Sequence, residues 1–150
     1  MRLFLPFLLI TPLLAGCTQN QSKVDISDGK EQLDYSDFAD IKIDWKNLFL
    51  PAKSQYFVYI YSKSCGHCNN IKPTVLDYIY NEKDWFYMIE FSSVIPLISN
   101  TKNTIGKQDI KDLGILGTPT MLGITNKYLS LNIAGEKDIL EFLEHLPHNF

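Results

Sequence analysis

The chain has 150 residues, 45% of them hydrophobic, 13% aromatic and 21% charged, with a formal charge of -3 at pH 7. That apolar share can fill the core of one globular domain and argues against a chain disordered throughout. The acidic balance, with no basic run, excludes a surface built to bind nucleic acid.

Met1 and Arg2 precede an apolar run from Leu3 to Leu14, broken by Pro6 and Pro12, and then come Ala15, Gly16 and Cys17. A membrane span needs about 20 apolar residues. This run is shorter, and its prolines disfavour a spanning helix. A short positive end, a medium apolar stretch and small residues form the layout of a secretory signal. "LLAGC", Leu13 to Cys17, resembles the lipobox of bacterial lipoproteins. That resemblance implies cleavage before Cys17, lipidation of Cys17, and anchoring to a membrane of the bacterial cell envelope on its extracytoplasmic side. Three expected parts follow: residues 1–16 a signal peptide, 17–34 the lipidated cysteine with a polar, flexible tether, and 35–150 a folded domain. With Cys17 consumed, only Cys65 and Cys68 remain of the three cysteines, in a compartment where disulfides persist.

Within the domain, Asp44 to Leu50 is a weak helix signal. "QYFVYIYS", Gln55 to Ser62, is dense in aromatic and β-branched residues and predicts a central strand. Ile71, Val75, Tyr78 and Ile79 recur at helical spacing, predicting a helix from about Cys65 to Tyr80 that bends at Pro73. Trp85 to Phe91 predicts a second strand and Lys107 to Leu113 a short helix. Two further strands are expected at Thr120 to Thr125 and Tyr128 to Ala134, and Asn126 and Lys127 between them fit a tight hairpin. Glu136 to Leu146 closes the chain as an amphipathic helix, with Ile139, Leu140, Leu143 and Leu146 on one face and acidic residues in its first turn.

"SKSCGHCNNIKP", Ser62 to Pro73, sets two cysteines three apart at the strand-to-helix junction. Taken alone, such a pair serves as a redox couple, as half of a zinc site, or as two small buried residues. A closed zinc site needs four ligands, and no second Cys or His pair stands at ligand spacing; His145 and His148 read as surface residues near the C-terminus. No metal is therefore expected, although copper(I) held by the two thiolates remains a rival, since soft sulfur selects it.

The element order with Cys-x-x-Cys at that junction resembles the thioredoxin-like thiol-disulfide oxidoreductases over about Gln55 to Leu146. Pro73 matches the family's helix-bending proline, "GTPT" from Gly117 to Thr120 its cis-proline loop, and Gly135 its last strand-to-helix turn. The resemblance implies an α/β fold of one domain, a central mixed sheet flanked by helices, with the Cys65–Cys68 disulfide in place of any bound cofactor. Two residues depart from the pattern. Tyr59 stands where thioredoxins carry a buried acid, and Ser64 where a tryptophan is common.

Disulfide exchange requires a thiolate, and a free cysteine with pKa about 8.5 is mostly protonated at neutral pH. Cys65, in the first turn of a helix, meets unpaired N–H groups and the positive end of the dipole. Cys65 is therefore expected to attack and Cys68, one turn along and more buried, to resolve the mixed disulfide. Gly66 and His67 lie between them. A charged His67 stabilises the reduced form and makes the disulfide more oxidising. "CGHC" is shared with protein disulfide isomerases, and "CGPC" is the thioredoxin version; potentials of about -180 and about -270 mV mark these families. Thr118 and a cis Pro119 imply a strand edge to which an extended substrate peptide adds. Tyr59, Tyr61 and Tyr78 read as core residues.

The resemblance implies an enzyme leaning towards oxidase or isomerase, whose partners are protein or peptide thiols and disulfides and a membrane reached through Cys17. A reductase fed by a membrane electron-transfer partner uses the same residues. The remaining alternative is a non-catalytic binding lipoprotein with an inert disulfide.

Overall fold

A computed structural model describes residues 32–146. The signal segment, Cys17, the tether before residue 32 and His148 lie outside the described residues.

The strand signal at Gln55 is realised as β1 (Gln55–Tyr61), whose residues after Gln55 are all buried. The reason is its place in the sheet. β2 (Phe86–Glu90) pairs with one edge in parallel, and β3 (Thr120–Thr125) with the other antiparallel; β4 (Tyr128–Ala134) completes the order β2-β1-β3-β4. Phe57 lies opposite both Phe86 and Gly123, and Tyr59 opposite both Met88 and Met121.

The two-residue period of a strand sends alternate side chains to opposite faces. Phe57, Tyr59 and Tyr61 of β1 therefore pack under α1 (Gly66–Asn81) and α2 (Glu136–His145), with Ile71, Val75, Leu76, Ile79, Ile139 and Leu143. Tyr56, Val58 and Ile60 face the other way, against Trp45, Leu48, Ile95, Leu113, Ile115, Leu122 and Ile124. Apart from Leu122 and Ile124, which belong to β3, the residues they meet on this face come from loops and single turns.

The chain runs β1-α1-β2, crosses to β3, turns back as β4 and closes with α2. Together with a mixed sheet and a cis Thr118–Pro119 bond, this is the thioredoxin-like fold that the motifs imply. At the hairpin, Asn126 and Lys127 both adopt positive φ, 50° and 69°, as a two-residue turn matched to the strand twist requires. Lys127 then donates to the carbonyl of Phe49 at 2.9 Å and to that of Pro51.

Two helix expectations shrink to single turns. Of Lys107 to Leu113 only Ile110–Asp112 forms a 3-10 turn, started by the Asp109 side chain accepting from the Lys111 N–H. The residues before it are bonded elsewhere: Gly106 N–H donates to Leu129 O at 2.7 Å, and Leu129 N–H to Lys107 O at 2.8 Å. Ile110 and Leu113 are spaced three apart, as on a helix, but one turn is enough to bring both to the core. Likewise Asp44 to Leu50 holds only the 3-10 turn Trp45–Asn47.

A 3-10 helix at Tyr35–Ile41 has no counterpart among the expected elements. Asp34 and Asp37 cap it reciprocally, and Tyr35 stacks on Tyr61 with ring centroids 3.8 Å apart. Behind it Ile43 N–H donates to Met88 O, covering part of the open edge of β2. Lys72 of α1 bonds Asp34 at 2.5 Å and lies over the Tyr35 ring.

Candidate active site

The site forms where β1 ends and α1 begins. Cys65 is the N-cap of α1, in extended conformation, and its sulfur accepts from the Cys68 N–H at 3.4 Å. Capping a helix start is ordinarily the task of a serine or aspartate oxygen. Here the sulfur takes that place and meets the unpaired amides of the first turn. Both cysteines are free thiols, Cys65 half-buried and Cys68 buried.

The two thiols are electrostatically unequal. Burial works against ionisation of Cys65, but hydrogen bonds from the Thr118 side chain, the Cys68 amide and thiol, and the His67 amide outweigh it and hold its pKa below the ordinary value. Burial dominates at Cys68 and pushes its thiol up to about 11. The pair therefore presents the more easily ionised sulfur near the surface and, beneath it, one that stays protonated at neutral pH.

The loop carrying Thr118 and Pro119 faces this pair. The protonated Cys65 thiol donates to the Thr118 carbonyl at 3.2 Å. Thr120, fully buried, donates from its hydroxyl to Gly117 O at 2.6 Å, and Gly135 N–H donates to Pro119 O at 2.9 Å. The loop is thus pinned on both sides of the cis bond. Gly135 adopts φ 102°, a conformation essentially reserved for glycine, and so turns the chain into α2 directly behind Pro119.

His67 is exposed. Its Nδ1 lies 2.6 Å from Glu136 Oε1, and the same oxygen accepts from Asn70 Nδ2 at 2.9 Å. The carboxylate beside it raises the His67 pKa, and His67 with Asn70 lowers that of Glu136. Glu136 and Asn70 escaped the sequence reading: Glu136 reads there only as an acidic residue suited to a helix start, and nothing local joins it to a histidine 69 positions earlier. Gly66 opens α1 with free space around its Cα, so a side chain fits there.

Tyr59 lies directly beneath the pair, fully buried, in one cluster with Cys68. Burial drives its hydroxyl far above the ordinary tyrosine value, so it is neutral at any physiological pH. Among the described residues the hydroxyls of Tyr35, Tyr59 and Tyr61 have no hydrogen-bond partner of suitable geometry, although Tyr35 and Tyr59 lie near each other and Tyr61 near Glu90. Ser64, in the tryptophan position, has its hydroxyl 3.0 Å from that of Ser62.

Among the described residues no three His, Cys, Asp or Glu side chains gather as metal ligands, and His145 Nδ1 is engaged with Glu141 O at 2.8 Å. Among them also no helix is long and apolar enough to cross a membrane.

No family model and no curated protein matches the chain. Solved structures do. Thioredoxin f2 of Chlamydomonas reinhardtii is 20% identical over 73% of this chain and 98% of its own, with a TM-score of 0.48. Mitochondrial thioredoxin 3 of Saccharomyces cerevisiae, in its oxidized form, is 16% identical over 70% and 93%, with a TM-score of 0.45. Thioredoxin f from spinach chloroplast is 16% identical over 69% and 88%, at 0.45.

Proposed function

We propose that this chain is a thiol-disulfide oxidoreductase acting on protein or peptide substrates, held on the extracytoplasmic side of a membrane by a lipid on Cys17. The observation that carries the activity is the inequality of the two sulfurs: Cys65 caps a helix with its pKa lowered, while Cys68 lies buried below it with its pKa raised to about 11.

In the reducing direction the Cys65 thiolate attacks a substrate disulfide, forms a mixed disulfide and expels one substrate thiolate. Cys68 then loses its proton and attacks Cys65 Sγ. The Cys65–Cys68 disulfide closes, the second substrate thiol leaves, and two electrons have passed to the substrate. Run backwards, the same steps donate a disulfide. Thr118 and Pro119, beside Cys65, offer backbone to a substrate strand.

The raised pKa of His67, inside the motif, supports a lean towards oxidase or isomerase, since a protonated imidazole favours the thiolate and hence the reduced form. Equilibration with glutathione buffers tests this. A potential above about -210 mV supports disulfide donation or reshuffling, and one below about -250 mV overturns that lean in favour of a reductase. The anchor has its own test: Cys17→Ser releases the protein from the membrane fraction if the lipid is on Cys17.

A further inference from the structure

Cys65, the Thr118–Pro119 loop, the start of α2 and His67 form a closed circuit. The Cys65 thiol reaches Thr118 O; Pro119 O accepts from Gly135 N–H; the next residue, Glu136, takes His67 Nδ1; and His67 is two residues from Cys65. Glu136 is the one acidic member. Its single oxygen Oε1 engages both His67 and Asn70, which stand three apart on the same face of α1. With 31% of its side chain exposed against 75% for His67, the carboxylate is the sheltered partner of the pair.

We propose that Glu136 is a positioning residue for the redox pair: its carboxylate holds the His67 imidazole at the mouth of the motif and keeps a positive charge there for the Cys65 thiolate. The assignment rests on the oxidoreductase reading above and adds to it the group that sets the charge on His67.

The charged groups acting on His67 are Glu136, from α2, and Cys65, from its own helix start. Glu136 has two opposite effects on Cys65. As a negative charge it disfavours a thiolate nearby. As the partner of Nδ1 it keeps the imidazole protonated to higher pH, and the imidazolium, in the sequence-adjacent motif, favours the thiolate. The second effect requires His67 and the first does not, so the two separate in a double-mutant cycle.

The experiment uses the full chain carrying Cys17→Ser, in which Cys65 and Cys68 are the remaining thiols. The ionisation of Cys65 is followed by thiolate ultraviolet absorbance, and His67 by its imidazole NMR signals, in Glu136→Gln with His67 present and in Glu136→Gln with His67→Ala. With His67 present, Glu136→Gln lowers the imidazole titration and decreases the Cys65 ionisation constant by about threefold, the scale of one exposed charge contact. In the His67→Ala background the same substitution leaves that constant unchanged or increases it.

An equal change in both backgrounds, or none in either, overturns the proposal and leaves Glu136 as a surface charge. The readout needs no substrate, so it stands apart from the activity itself. A protein that exchanges disulfides without this coupling overturns this inference alone; one that shows the coupling but exchanges with no peptide overturns the function.

Discussion

The sulfur of Cys65 lies 3.2 Å from the carbonyl oxygen of Thr118, 53 residues further along the chain. In the proposed function the attacking sulfur and the loop that receives a substrate strand are therefore one unit, and Cys65 ionises in contact with that loop.

The pH dependence of the reduced protein follows from the two thiols. The folded pKa of Cys65 is below its unfolded value, so its ionisation adds stability as pH rises towards about 9, and that gain is lost as pH falls through the folded value. Cys68 behaves oppositely. Its folded pKa of about 11 lies above the unfolded value, so the fold loses stability between about pH 9 and 11. Urea midpoints of the reduced protein should rise and then fall about a maximum near pH 9, and the difference from the oxidised protein, in which neither thiol titrates, should isolate both slopes.

Removing each sulfur in turn separates attack from resolution. Cys65→Ser should abolish exchange with a peptide disulfide. Cys68→Ser should still attack but accumulate mixed disulfides, visible as a mass increase equal to the bound thiol. Full turnover in Cys65→Ser would reverse the assignment.

Gly135→Ala should cost about 1–3 kcal/mol, since φ 102° with ψ 158° is a region nearly closed to side chains. The strain falls between the Pro119 contact and Glu136, so the Cys65 titration should shift along with the urea midpoint.

Two buried tyrosines on opposite faces of β1 should respond differently to loss of the hydroxyl. Tyr56 donates to Leu48 O at 2.7 Å, and Tyr56→Phe should cost about 1–2 kcal/mol by leaving that carbonyl without its donor. Among the described residues Tyr59 has no partner of good geometry, only the nearby Tyr35 hydroxyl, so Tyr59→Phe should be neutral or stabilising by up to about 1 kcal/mol. Denaturant unfolding of the two variants checks both. A large loss in Tyr59→Phe would show that its hydroxyl is bonded in solution.

Much of this was legible in the chain because it depends on near neighbours. Aromatic and β-branched residues from Gln55 to Tyr61 marked β1, Asn126 and Lys127 marked the hairpin, and Cys65 to Cys68 marked the start of α1. Those features arise from side-chain periodicity and local backbone preference, which need no knowledge of the rest of the molecule. The 3-10 turn at Ile110–Asp112 shows where local pattern misleads: Gly106 and Lys107 bond to Leu129, so the longer helix expected there gives way to a partner elsewhere in the chain.

The sequence by itself determined the cysteine pair at the strand-to-helix junction, the order of the four strands and two α-helices, and the loop at Thr118–Pro119. Only the tertiary structure decided that Glu136 holds His67, that Tyr35 stacks on Tyr61, and that Cys65 and Cys68 differ in ionisation. The physical reason is range. Propensity and periodicity act over a few residues, whereas burial and the field at a thiol are summed over groups that the fold brings together from 53 and 69 positions away.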